Sequence, residues 1–392
     1  MSERIAFVAG EASGDLLAAP VVAALRRHDP PYVVAGIAGD RMVAAGCEAW
    51  HHVRELSVRG YVEVLRELPR LLRLRRGVFD RLVANRCAAL VGVDAPDFNL
   101  ALETKARGAG IPTVHYVSPS IWAWRGGRIE RIRKAADRVL LVFPFEQEIY
   151  DRAGIPASYV GHPLASEIPM APDADAARLR LGLGDAVGSG SPLVALLPGS
   201  RRAEVEYNGP VFLDAAREIA RACPAARFLL PVADRSLRAM VESQIGLRPE
   251  VRERLHWFDG RSHDCLEACD GVLVASGTAT LEAALYKRPM VIAYRMPASS
   301  AWIMRRIGGY LPWVGLPNIL AGETIVPERL QEQATAPAIA RALLDVLADE
   351  VGRRRLHERY CAMHESLRRD TPALATHAIL QTIEMARSRK MT

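Results

Sequence analysis

Apolar runs rich in β-branched residues recur along this chain, each separated from the next by a stretch of helical character, and this alternation restricts its fold more than any other feature. The first series is Ile5–Ala9, Tyr32–Ala38, Ala88–Val93, Thr113–Val117 and Val139–Phe143. A second follows at Leu193–Leu197, Arg227–Val232, Leu255–Phe258, Gly271–Val274 and Met290–Tyr294. Strands alternating with helices predict βαβ units, with parallel strands in a sheet covered on both faces. Two such series predict two similar α/β halves, and 392 residues are too many for one ordinary core.

Met170 to Pro192 carries Pro172, an Asp/Ala stretch and Gly188-Ser189-Gly190-Ser191-Pro192, the composition of a flexible connection. The expected divisions are a first domain 1–168, a linker 169–192, a second domain 193–350 and C-terminal helices 351–392. Thr371-Pro372 reads as an N-cap followed by Pro at the first helical position. The terminal helix is expected to pack back onto the first half.

Half of the residues are hydrophobic and 24% are charged, a globular composition. No apolar run reaches the roughly 18 to 20 residues that span a bilayer, and Met1-Ser2-Glu3-Arg4 leads into a strand rather than a signal-peptide core. A cytoplasmic location is therefore expected. The six cysteines lack paired Cys-x-x-Cys spacing and read as reduced thiols. The net charge of +6, from 51 basic against 45 acidic residues, is too small to choose between phosphates, anionic lipid and nucleic acid.

In open α/β sheets ligands collect at the carboxyl ends of strands, where helix N-termini present free N–H groups to phosphate. Two segments fit such a place for a nucleoside diphosphate attached to a sugar: Leu197-Pro198-Gly199-Ser200-Arg201 and Ala275-Ser276-Gly277-Thr278-Ala279-Thr280-Leu281-Glu282. Arg201 supplies a fork of donors for phosphate oxygens, and Glu282, about one turn into its helix, is placed to accept from ribose hydroxyls. After the first strand, Gly10-Glu11-Ala12-Ser13-Gly14-Asp15 combines glycines that permit close approach with Ser13 as a helix cap. It lacks the glycine spacing of a dinucleotide fold and the Gly-Lys-Ser/Thr of a P-loop, so NAD and ATP chemistry are not supported.

Asp94, in Gly92-Val93-Asp94-Ala95-Pro96-Asp97, ends the third run and is the better candidate for a base that takes a proton from a hydroxyl; Asp97 is explained as helix-start charge. Ser118, Trp122, Trp124 and Arg125 lie in the loop after the fourth run, where aromatic faces suit sugar rings or acyl chains and equally suit an interdomain surface. The roles of His115 and His162 stay open. The only Asp-x-Asp, Asp173-Ala174-Asp175, falls in the linker, so neither a metal nor a cofactor is expected. Val58 to Arg76 places Val62, Leu65, Leu68 and Leu72 near helical spacing among Arg66, Arg70, Arg73 and Arg76, interrupted by Pro69. That is either a core-facing helix with a solvated basic side or a helix that lies on an anionic membrane.

Gly10 to Asp15, Gly92 to Asn99, Tyr116 to Arg125, Leu197 to Arg201 and Ser276 to Glu282 resemble, in order and spacing, the lipid-A-disaccharide synthase family, up to at least Pro317-Asn318. The resemblance implies a GT-B glycosyltransferase with two Rossmann-like domains facing a cleft. It implies inverting, metal-independent transfer of 2,3-diacylglucosamine from its UDP derivative to the 6-hydroxyl of 2,3-diacylglucosamine 1-phosphate. Carried over by motif, Asp94 is the general base, Arg201 with Ser276, Gly277, Thr278 and Thr280 holds the pyrophosphate, and Glu282 and Asn318 hold the uridine part. Gly10, Glu11, Ser13, Gly14 and Asp15 line the site near the transferred sugar, and Ser118, Trp122, Trp124 and Arg125 lie on the acceptor side. The acylated substrates favour the membrane reading of Arg66, Arg70, Arg73 and Arg76, at the cytoplasmic face of the inner membrane. No nucleic-acid partner is expected, and a homodimer is left open. The alternatives are a UDP-N-acetylglucosamine 2-epimerase and a non-catalytic UDP-sugar-binding protein.

Overall fold

The computed structural model describes residues 2–56, 61–121, 127–184, 191–232, 235–297 and 312–391, with only the backbone of 61–66, 235, 390 and 391. The chain forms two compact units, one of residues 1–166 with 367–392 and the other of residues 167–366.

In the first unit the strands are β1 (Arg4–Ala9), β2 (Val33–Ala38), β3 (Glu48–His52), β4 (Ala89–Val93), β5 (Thr113–Tyr116), β6 (Arg138–Leu141) and β7 (Ala157–Tyr159). They pair in parallel in the order β3-β2-β1-β4-β5-β6-β7. The central strands are apolar and buried along nearly their whole length, as a sheet covered on both faces demands. The helix Thr371–Met391 joins this unit by packing on Ala12–Arg27, with Ala375, Ala378, Ile379 and Ile383 buried.

The second unit repeats the plan with β8 (Leu193–Leu197), β9 (Arg227–Val232), β10 (Leu255–Asp259), β11 (Gly271–Val274), β12 (Met290–Tyr294) and β13 (Glu328–Leu330). Their order is β10-β9-β8-β11-β12-β13, again parallel throughout. Its core spreads from Phe212, Ala216 and Ile219 on the helix Arg202–Ala222 across Phe228 and Leu273 to Leu343.

The boundaries differ from the expected ones in two places. The segment expected to be a linker contains a helix, Ala174–Arg180, capped by Asp173, whose side chain accepts from Ala176 N at 2.9 Å. It is fixed to the second unit by Arg178–Asp270 at 3.0 Å, Arg180–Asp264 at 2.9 Å and Asp173 N to Glu267 at 2.9 Å. The C-terminal helices divide between the units. Glu350–Leu367 stays almost wholly with the second, where buried His364 meets Lys287 Nζ, and only the last helix crosses to the first.

Candidate active site

Each sheet reverses its strand order once, between β1 and β4 in the first unit and between β8 and β11 in the second. At such a point the loops leaving the two strands diverge and open a crevice at the carboxyl edge. The glycine loop at Gly10 follows β1 and Asp94 follows β4; Gly199 to Arg201 follows β8 and Ser276 to Thr280 follows β11. All four motifs therefore stand where a doubly wound sheet binds ligands.

In the first unit, Gly10 and the Asp94 turn are in contact. A side chain at position 10 would put its Cβ 2.1 Å from Ala95 Cβ, so only glycine lets the two loops meet. Asp94 and Ala95 both adopt left-handed backbone, with φ of +52° and +44°. That conformation is costly for residues with a Cβ and persists because neighbours hold it. Asp94 N–H donates to Tyr116 O at 2.8 Å, and Asp94 O accepts from Asn99 Nδ2 at 2.8 Å. Pro96 then starts the helix Pro96–Gly108. The turn leaves Asp94 half-buried at the strand end, where its carboxylate meets no protein hydrogen-bond donor among the described residues.

Other expected members of this half are placed differently. Asp15 is buried, and its carboxylate accepts from the N–H groups of Gly39, Arg41 and Met42 at 2.8, 3.0 and 3.0 Å. It caps the helix Asp40–Ala44, so its lone pairs serve the fold rather than a sugar. Ser13 is an exposed residue of the first turn of Ala12–Arg27, not its cap; the N-cap is Glu11, without a side-chain bond. Ser118 points inward, sharing a 2.7 Å hydrogen bond with buried Tyr150. Asp97 stays exposed and binds Arg128 at 3.0 Å. Trp122, Trp124 and Arg125 lie outside the described residues, as does the side chain of Arg66.

In the second unit, Gly199, Ser200, Arg201, Ser276, Gly277, Thr278 and Glu282 line one cavity of about 390 Å³. Its two turns are not equivalent. Glu204, which the sequence reading passed over, accepts from Ser200 N at 3.0 Å and Arg201 N at 3.2 Å, and from the Arg201 guanidinium at 3.3 Å. This capping box occupies N–H groups expected to face phosphate and aims Arg201, whose side chain remains exposed. The first turn of Thr278–Leu285 offers N–H groups beside exposed Gly277 and Thr278, while Thr280 N–H donates to Gly277 O at 3.1 Å.

Ser276 Oγ donates to Val314 O at 3.1 Å; Thr280 Oγ1 donates to Gly277 O at 2.8 Å and accepts from Leu316 N at 3.2 Å. Their hydroxyl protons are committed within the fold, a correction to their expected use on a pyrophosphate. Asn318 is fully buried and fully bonded. Its Nδ2 donates to Val326 O and Glu328 Oε1, and its Oδ1 accepts from Ile325 N and Val326 N. Two donors and two acceptors exhaust a carboxamide. The expected side-chain contact of Asn318 with uridine is therefore not available; with Glu328, which also accepts from Val314 N and Gly315 N, it fastens the loop beside the cavity.

Glu282 lies half-buried in the cavity wall, and burial pushes its carboxyl above the usual range against the opposing pull of His263, whose Nε2 is 3.9 Å away. Among the described residues no group of three or more His, Cys, Asp and Glu side chains could share a metal ion.

On the helix Tyr61–Ala84, which continues through Pro69, Leu74 and Val78 are buried. Leu68 and Leu72 are each 44% exposed, and Arg73 and Arg76 are also exposed. Arg70 is partly exposed, with its guanidinium bound to Glu67 and to Glu55 O.

Residues 5–381 match the model of the lipid-A-disaccharide synthetase family. The chain belongs to that family. The lipid-A-disaccharide synthases of Burkholderia lata and Burkholderia pseudomallei are each 48% identical to it over 387 residues, covering 98% of both chains. Among solved structures it is similar to the UDP-GlcNAc 2-epimerase from Neisseria meningitidis, with a TM-score of 0.63, 11% identity, and coverage of 97% of this chain and 100% of the other. The calicheamicin glycosyltransferase gives 0.60 at 12% identity, covering 98% and 99%. At those identities the likeness concerns fold alone, the GT-B fold of two parallel-sheet α/β domains, and membership of the synthase family makes the chain a glycosyltransferase of lipid A biosynthesis.

Proposed function

We propose that this family member transfers 2,3-diacylglucosamine from UDP-2,3-diacylglucosamine to 2,3-diacylglucosamine 1-phosphate, with inversion and without a metal. The observation that carries the reading is the Asp94 turn, which holds a carboxylate free of protein donors among the described residues at the strand-order reversal of a chain matched to the family over residues 5–381. Asp94 takes the proton of the acceptor 6-hydroxyl as that oxygen attacks the anomeric carbon. The bond from that carbon to the diphosphate oxygen breaks, and UDP leaves with the electron pair. Its developing charge meets the Arg201 fork and the N-terminal N–H groups of Thr278–Leu285. Glu282 is the acceptor for ribose hydroxyls. Leu68, Leu72, Arg73 and Arg76 dock the first unit on an anionic membrane surface, where acylated substrates reside.

The test is product analysis with the UDP-sugar, with and without acceptor, in EDTA. Disaccharide and UDP formed only with acceptor support the transferase, whereas conversion of UDP-N-acetylglucosamine alone to its 2-epimer supports the epimerase. Asp94→Asn should lower turnover by about a hundredfold or more while leaving UDP affinity unchanged; near-normal turnover removes Asp94 from the base role.

A further inference from the structure

Next to the Asp94 turn, the first unit buries a polar cluster that the transfer step does not use. His115 on β5 lies opposite Gly92 in the ladder with β4, two residues before Asp94. Its Nδ1 is 2.7 Å from Oε1 of Glu103, and both side chains are completely buried. Glu103 reaches His115 across Gly92, where any Cβ would stand 2.1 Å from that same oxygen. One helical turn earlier, Asn99 bonds the carbonyls of Val8, Val93 and Asp94. A single inward face of Pro96–Gly108 thus fixes both the Asp94 turn and the imidazole beside it.

This arrangement is expensive as mere packing. Glu103 Oε2, His115 Nε2 and Asn99 Oδ1 are buried without hydrogen-bond partners among the described residues. Buried ion pairs rarely stabilise more than apolar groups of the same volume. The charges acting on His115 come from Glu103 on the helix and Asp94 at the end of β4. Its neighbours across the ladders, Gly92 and Val139, carry none. The helix Thr371–Met391, also packed on β5 and β6, contributes none of the charges acting on the ring.

We propose that Glu103 and His115 are positioning residues for the transfer reaction: the buried, hydrogen-bonded pair, packed beside the turn that Asn99 fastens, aims the Asp94 carboxylate as the acceptor binds. The inference rests on Asp94 being the base. Burial opposes charge on the ring, but Glu103 and then Asp94 outweigh it, so the His115 imidazole is shifted above its usual range.

The test uses full-length Glu103→Gln and His115→Gln, assayed for kcat, acceptor KM, the pH dependence of kcat/KM and thermal unfolding. Expected are a kcat lowered about tenfold or more, an acceptor KM within about threefold of wild type, and a pH profile of kcat/KM displaced from that of wild type. Glu103→Gln keeps shape and a hydrogen bond, so it reports even if His115→Gln does not fold. Folded variants whose pH profiles superimpose on wild type overturn the inference. A fully active Asp94→Asn overturns instead the reading on which it stands.

Discussion

At the scale of single residues, His162 shows how burial writes a pH dependence into the fold. Its ring is packed against Phe143 with centroids 5.6 Å apart, and its Nδ1 accepts from Leu164 N at 3.3 Å, so the native state requires the neutral form. Burial depresses its pKa from 6.5 to about 4. The unfolded chain therefore takes up a proton first, and the stabilisation present above the ordinary histidine pKa is lost as pH falls from 6.5 to about 4, up to about 3 kcal/mol. Denaturant unfolding of wild type across that window should lose this increment and His162→Gln should not; parallel slopes would rule out the imidazole. The same scale shows what one chain of letters conveys about a site. Asp94, Gly10 and Arg201 were legible because strand-end position and residue type suffice to propose them. Asp15, Thr280 and Asn318 occupy the same motifs yet turn their polar atoms inward, which only the finished hydrogen bonds reveal. Asn99 and Glu103 left one trace, two polar residues four apart on an otherwise apolar inward face.

At the scale of elements, what the sequence revealed follows burial. The ten strands expected from apolar runs all form: most are covered on both faces and therefore apolar along their length, and β10, a partly buried edge, showed through Leu255, Trp257 and Phe258. The strands that escaped, β3 (Glu-Ala-Trp-His-His), β7 (Ala-Ser-Tyr) and β13 (Glu-Arg-Leu), are short sheet edges that are only partly buried or exposed. Edge strands need no continuous hydrophobicity, and polar residues there discourage pairing with other chains. The helix Ala174–Arg180 escaped because its stabilising partners, Asp264, Glu267 and Asp270, are about ninety residues away in sequence. The helix Tyr61–Ala84 yields a prediction at this scale. Replacing Arg73 and Arg76 with Gln should weaken binding to anionic vesicles at low salt, by about 1 kcal/mol per charge, whereas Arg70→Gln should change it far less. Equal losses from all three would show that the structure's assignment of Arg70 to Glu67 and Glu55 does not govern docking.

At the scale of the whole molecule, the chain leaves the first unit after residue 166 and returns to it after residue 366. The second unit is continuous in sequence and the first is not. A fragment of residues 167–366 should fold cooperatively and bind UDP by calorimetry. A fragment of residues 1–166 should not, since it would expose the face of Ala12–Arg27 that Ala375, Ala378, Ile379 and Ile383 cover. At roughly 1 to 2 kcal/mol for each covered side chain, that loss is comparable with the whole stability of a domain. A cooperative melt of the shorter fragment would refute this. During synthesis the same path reverses the usual order of completion, in which domains finish as they emerge. The unit translated first must wait, its Ala12–Arg27 surface uncovered, until the last helix clears the ribosome, so chaperone dependence should be greatest for the half that appears earliest.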